Sequence, residues 1–480
     1  MIAERLAGLE PAAVFAYFEK LCSIPHGSRN TKLISDYLVS FAREQGLRYI
    51  QDESNNVILF QEGTCGLEDH PPVVLQGHMD MVCEKDEECP IDMDREGLDV
   101  THDGECVFAR GTTLGGDDGI AVAYALALLA DRSIPHPPLE VIITVDEEIG
   151  MLGADVIDLS MLQGRTLLNL DSEDEGIFTV SCAGGARATI HLPVTRRVAY
   201  GPCVKLTVEG LKGGHSGVEI HQNRANANKV MGEFLSRVQQ MMPLSITSIS
   251  GGSKDNAIPR SCTVNLVALG MGLERINDVA AQLQQEIREK YDEPDVIIRG
   301  DDVDALGGNA LTTECSAKLI ALLNSVPNSV QSWSADIPGL VQTSLNLGVA
   351  ELGEELKLTF ALRSSVKQEK ADLVKRLEEV AAFHGAICTH KGDYPAWEYK
   401  KESVLRDTMV RVFEEMYQRP AKVVAIHAGL ECGLLSEKLP GLDCVSIGPE
   451  MHDIHTSRER LGIASVERMW KYLQEVLKNL

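Results

Sequence analysis

No two cysteines in this sequence are spaced Cys-x-x-Cys, so it carries neither a zinc ribbon nor a thioredoxin-type redox site. The twelve cysteines are scattered from Cys22 to Cys444, and a chain of 480 residues buries enough apolar surface to need no disulfide framework. They read as reduced thiols, several of them in the core. Basic residues are in deficit: 45 Lys and Arg against 71 Asp and Glu leave a net charge of −26. This argues against a general nucleic-acid binder, which needs basic surface to displace counterions from phosphates, and against docking on an anionic membrane. Long apolar runs are missing too. The longest helical one, Ile120–Ala130, is too short to span a bilayer. The first twenty residues mix acids among apolar side chains and lack the apolar stretch of a secretory signal. The expectation is a soluble, cytoplasmic protein.

The length predicts two large domains or three smaller ones. Up to about residue 184, helical and strand patterns alternate. Pro11–Leu21, Thr31–Gln45 and Ile120–Asp131 have helical spacing. Val73–Gln76, Leu139–Val145 and Thr166–Leu170 are short apolar runs, the mark of strands covered on both faces. From about 185 to 390 the texture changes to alternating strands, among them Thr263–Leu269, and charged helices. A helix, two strands and a helix occur twice in that stretch. After Trp397 the first texture returns. The fold class predicted is therefore α/β: a discontinuous domain, 1–184 with 391–480, built on a mostly parallel sheet. Into it is inserted an α+β domain, 185–390, of two related halves.

Chemistry-bearing residues follow the strands. Val73–Gln76 runs into Gly77-His78-Met79-Asp80, Leu139–Val145 into Asp146-Glu147-Glu148, and Leu167–Leu170 into Asp171. Asp117 and Asp118 open the helix at Ile120, and a late strand near 442–447 leads toward His452 and His455. In an open α/β sheet, ligands bind beyond the carboxyl ends of the strands, so these groups should meet at one edge. Each alone has an ordinary use, as a surface turn, an acidic corner or a helix cap. Together they place several carboxylates close enough to repel strongly, a cost that divalent cations remove. Mixed His and carboxylate donors suit zinc, with manganese or cobalt as substitutes.

The strings Gly77-His78-Met79-Asp80-Met81-Val82, Thr113-Leu114-Gly115-Gly116-Asp117-Asp118-Gly119, Asp146-Glu147-Glu148-Ile149-Gly150 and Leu170-Asp171-Ser172-Glu173 resemble the M20 metallopeptidases. The similarity is strongest to their aminoacyl-histidine dipeptidase branch, the carnosinase-like peptidases. Ser23–Ser28, Gly214-His215-Ser216-Gly217, Asn256–Arg260, Tyr394-Pro395-Ala396-Trp397 and His427–Gly433 extend it over essentially the whole chain. The resemblance implies two zinc ions per chain. His78 and Asp171 would bind one, Glu148 and His455 the other, and Asp117 would bridge them. Asp80 would orient His78, and the peptide between Asp117 and Asp118 would be cis. Glu147 would act as general base on a hydroxide held between the metals. His215 would stabilise the oxyanion, Arg363 would clamp the substrate carboxylate, and Asn256 and Gly429 would contact substrate. The inserted domain would serve as lid and dimerisation domain of a homodimer.

The implied activity is a dipeptidase acting on Xaa-His (carnosine-like) and broader dipeptides. A tripeptidase, an N-acyl amino acid deacylase of the same superfamily and a non-catalytic scaffold are the competing readings. Gly116 and Asp118 stand where the branch usually has Ala and Asn, and His455-Thr456-Ser457-Arg458 replaces a more usual His-Ser-Pro-acid. Lys32 lies near the place of a usual acid, and His452 is a rival to His455 as ligand.

Overall fold

Apolar runs punctuated by single polar residues become the central strands, and the strand ends fix where the polar groups go. In the computed structural model, residues 5–268, 270 and 272–480 are described; Met1–Glu4, Leu269 and Met271 lie outside the described residues. The chain divides into two units. One comprises Met1–Ser181, Tyr399–Ala425 and Leu430–Leu480; the other comprises Cys182–Glu398 and Ile426–Gly429.

The first unit is built on an eight-stranded sheet. In spatial order its strands are Arg48–Gln51, Val57–Gln61, Leu139–Thr144, Val73–His78, Thr166–Asn169, Asp443–Ser446, Ile177–Cys182 and Lys422–Ile426. The four from Leu139–Thr144 to Asp443–Ser446 are parallel. The expectation of parallel strands thus holds at the centre. Toward the edges Val57–Gln61 and Ile177–Cys182 pair antiparallel, so the sheet is mixed. The five-residue link from Gln51 to Val57 is long enough for a hairpin and too short for a crossover. Val73–His78 and Leu139–Thr144 are buried at every position, as strands with helices on both faces must be. The helix Gly116–Ala130 is apolar nearly all round and buried from Gly116 to Leu129. A Cβ on Gly77 would come within 2.7 Å of the Ala121 Cβ, so glycine there lets this helix lie against the His78 strand.

The second unit has a nine-stranded sheet, with helices Ala227–Met241, Leu273–Tyr291, Thr313–Ser325 and Lys367–Phe383. The helix, two strands and helix expected twice are found with a third strand in each stretch, Ala257–Ile258 in the first and Ser329–Trp333 in the second. Helix Ala227–Met241, strands Leu244–Gly251 and Cys262–Ala268 and helix Leu273–Tyr291 come first. Helix Thr313–Ser325, strands Val341–Leu352 and Glu355–Ser364 and helix Lys367–Phe383 follow. The strand expected over Thr263–Leu269 is found at Cys262–Ala268, and Leu269 lies outside the described residues. In Glu355–Ser364 every second residue is buried. Leu356, Leu358, Phe360 and Leu362 join the apolar core, while Lys357, Thr359, Ala361 and Arg363 share the opposite face. All twelve cysteines are free. Among the described residues no helix is long and apolar enough to cross a membrane.

Candidate metal and active site

Strand register sets the level of the acidic groups in the first unit. Val73–His78 pairs in parallel with Leu139–Thr144, His78 opposite Thr144, and with Thr166–Asn169, Gln76 opposite Asn169. His78 and Asp171 each lie two residues beyond that second pair, so they emerge side by side. The Asp171 Oδ1 is 3.7 Å from His78 Nε2. Asp117 reaches both sides of the cluster: its Oδ1 is 3.2 Å from His78 Nε2, and its Oδ2 is 3.1 Å from His455 Nε2. His455 Nε2 is also 2.9 Å from Glu148 Oε1. All five residues that the resemblance marks as ligands therefore converge, with the Asp117 carboxylate between two imidazoles. The peptide between Asp117 and Asp118 is cis. The rival His452 is exposed and pairs with Arg460 across a short strand.

The donor sets suit cations. One oxygen or nitrogen each from His78, Asp117 and Glu148 lie within 4.8 Å of one another, and so do those from His78, Asp118 and Asp171. Burial, then the charge of Asp118, pushes the Asp171 carboxyl well above its ordinary value. Burial opposes protonation of His78, but hydrogen bonds to Asp117 and Asp80 outweigh it and raise the imidazole well above its ordinary value. Hydrogen bonds to Asp117 and Glu148 push His455 up to about 10. Buried acids that hold protons and imidazoles that hold charge are what a carboxylate cluster does by itself; divalent cations supply the same neutralisation without protons.

Around the cluster, hydrogen bonds fix orientation. His78 Nδ1 lies 2.9 Å from the Asp80 carbonyl oxygen and 3.5 Å from its carboxylate. Asp80 in turn accepts from Ser28 Oγ at 2.8 Å and from the Glu147 backbone N–H at 3.0 Å. One carboxylate thus ties the His78 strand to the turn that carries Glu147. Burial first, with the charges of Glu148 and Asp117 adding and that of His78 opposing, pushes the Glu147 carboxyl up to about 7.

From sequence no role falls to Glu459, Gln76, Thr144, Asn169 or Glu431, and Asp118 is expected in the cluster without a partner. Glu459, 3% exposed, accepts backbone N–H groups from Leu114 (2.8 Å), Gly115 (3.2 Å), Gly116 (2.8 Å) and Asp117 (3.4 Å). It holds the loop that presents Asp117, four residues after His455, and nothing in its local pattern marks it. Asp118 Oδ2 accepts from the His78 backbone N–H at 3.1 Å, and its Oδ1 has no partner among the described residues. Beneath the cluster, Asn169 donates to Gln76 (2.6 Å), and Gln76 (2.5 Å) and Thr144 (2.6 Å) donate to Glu431. A signal for this network was present. Gln76 and Asn169 interrupt apolar runs two residues before His78 and Asp171, hence on the same strand face.

The second unit gathers another group. His215 Nδ1 accepts the backbone N–H groups of Gly217 and Val218, each at 3.2 Å. Its proton therefore sits on Nε2, which is left to donate. Burial, then the Arg363 charge, lowers the His215 pKa, so the ring is neutral. A Cβ on Gly217 would lie 2.8 Å from the His427 carbonyl oxygen, 2.9 Å from His215 Cε1 and 3.1 Å from Arg363 Cζ. Glycine at 217 thus permits His215, Arg363 and the His427 loop to close on one point. The Asn256 carbonyl accepts from the Ser216 N–H at 2.9 Å, next to His215. Gly429 ends the 426–429 segment, whose Ile426 and Ala428 carbonyls accept from the Ala183 N–H. Among the described residues Arg363 has no carboxylate partner, and its Nε is buried without a hydrogen bond.

Residues 206–295 match the peptidase dimerisation domain of the M20 peptidases. The cytosol non-specific dipeptidase of Escherichia coli is 36% identical over 99% of this chain and 99% of its own. The chain belongs to the M20 peptidase family. The aminoacylhistidine dipeptidase of Vibrio alginolyticus superposes on this M20 peptidase with a TM-score of 0.95 at 35% identity, over 99% of this chain and 98% of that one. The aminopeptidase PepT of Bacillus cereus, 14% identical with a TM-score of 0.56 over 98% of each chain, shares the fold alone.

Proposed function

We propose that this M20 peptidase is a cytosolic dinuclear-zinc dipeptidase that cleaves Xaa-His and broader dipeptides and works as a homodimer. The observation that carries the reading is the Asp117 carboxylate, with one oxygen toward His78 and the other toward His455. His78 and Asp171 would hold one zinc, Glu148 and His455 the other, and Asp117 both; manganese or cobalt would substitute. When bound, the metals would polarise the scissile carbonyl and acidify water. Asp80 keeps His78 in the orientation a ligand needs. Glu147 takes a proton from the attacking water and passes it to the leaving amine. The Nε2–H of His215 donates to the oxygen that becomes negative. Arg363 pairs with the substrate's terminal carboxylate, and Asn256 and the Gly429 backbone make further contacts.

The donor chemistry supports the metal assignment, and the uncompensated Arg363 charge supports the carboxylate clamp. The experiment is a substrate panel on protein stripped of metal and reloaded with zinc: carnosine, Ala-His, a tripeptide and an N-acetylated amino acid. The reading requires zinc-dependent cleavage of the dipeptides. Preference for the tripeptide or the acetylated amino acid would replace it with another peptidase or deacylase activity.

A further inference from the structure

Three neighbouring strands of the second unit place Arg363, Gly185 and Tyr394 in one row. Arg363 lies directly opposite Gly185 on one side, and Tyr394 directly opposite Gly185 on the other. Side chains of directly paired residues share a face. That face is opposite the apolar core, since Ala188, Ile190 and Leu192 of the glycine's strand are buried in it. Arginine and tyrosine are two strands apart, roughly 9–10 Å at the usual spacing. Any side chain between them would keep them separate. With glycine there, the Tyr394 ring lies over the intervening strand and its hydroxyl accepts from Arg363 Nη1 at 3.2 Å. A Cβ on Gly185 would overlap the hydroxyl end of that ring, within 2.5 Å of Cζ and 2.7 Å of Cε1. Among the described residues this is the one hydrogen bond of the Arg363 guanidinium, which has no carboxylate partner there. Burial pushes the Tyr394 phenol above its ordinary pKa, so it stays a neutral acceptor and leaves the arginine charge uncompensated.

We propose that Tyr394 is a positioning residue that aims the Arg363 guanidinium at the substrate's terminal carboxylate, and that Gly185 is glycine to let it do so. The proposal deepens the carboxylate-clamp reading and rests on it. It also gives a use to the tyrosine of Tyr394-Pro395-Ala396-Trp397.

The test compares Ala-His with Ala-His amide, which lacks the terminal carboxylate, on zinc-loaded protein. Tyr394→Phe keeps the ring and removes the acceptor. It should raise KM for Ala-His by roughly tenfold, the loss of one hydrogen bond to a charged group, with kcat/KM for the amide unchanged. Gly185→Ala should produce the same selective loss although the phenol is still present. Arg363→Ala should abolish the preference for the free acid, and adding Tyr394→Phe to it should change nothing more. Equal losses on acid and amide, or a further loss in the Arg363→Ala background, would overturn the positioning role. If Arg363→Ala abolished the preference while Tyr394→Phe left it intact, the clamp would stand and this inference would fall. If Arg363→Ala left the preference intact, the clamp itself would fall and the inference with it.

Discussion

Glu147→Gln keeps the size of the side chain and removes its basicity. On the proposed role, kcat falls by about 10²- to 10⁴-fold while bound zinc is retained. Metal analysis beside steady-state kinetics checks both halves; wild-type turnover in the zinc-loaded variant would contradict the role. A second residue sets an acid limit on stability. Burial first, then the Arg363 charge, pushes the His427 imidazole from 6.5 down to about 3. The folded chain therefore resists a proton that the unfolded chain accepts, so stability falls as pH drops from about 6.5 toward 3. His26 and His136, also lowered by burial, add to the same limb. Melting temperatures of wild type and His427→Asn, compared from pH 7 to pH 4, should converge as pH falls. A parallel decline would mean that His427 does not titrate there. At this scale, His78, Asp117, Glu148, Asp171 and His455 were legible because each follows a strand or opens a helix. Glu459 was not: its partners are backbone N–H groups from a distant segment, and such pairings leave no mark in local spacing; Asp118 was expected in the cluster, but not its bond to the His78 N–H.

Among the elements, the loop before the Gly116–Ala130 helix depends on Glu459. Replacing that carboxylate by an amide sets a donor against up to four N–H groups. Glu459→Gln should cost about 2 kcal/mol of stability and weaken cation binding, since Asp117 belongs to that loop. Thermal melts together with zinc titration of metal-stripped protein measure both; unchanged zinc affinity would separate the loop from the site. The central strands were readable because strands buried on both faces are continuously apolar, and Val73–Gln76 differs from the observed Val73–His78 only at its end. The edge pairings were harder. Parallel or antiparallel pairing there follows from connection lengths, which an apolar run does not record. In the second unit, the row of Arg363, Gly185 and Tyr394 exists only once register is known, because the three are far apart in sequence.

For the whole molecule, ligand linkage makes stability depend on metal. Zinc at a hundred times its dissociation constant should stabilise the fold by about 2.7 kcal/mol per site, seen as a melting temperature that falls on chelation and recovers on reloading. The match of residues 206–295 to a peptidase dimerisation domain leads to a further expectation. Sedimentation equilibrium should give twice the 52.4 kDa chain mass, and a monomer at micromolar concentration would contradict the dimer. The most direct measurement is anomalous diffraction at the zinc edge from crystals of the zinc-loaded protein. Two peaks should flank the Asp117 carboxylate, one against His78 and Asp171 and the other against Glu148 and His455. A single peak, or peaks away from Asp117, would contradict the shared-carboxylate centre on which the proposed chemistry depends.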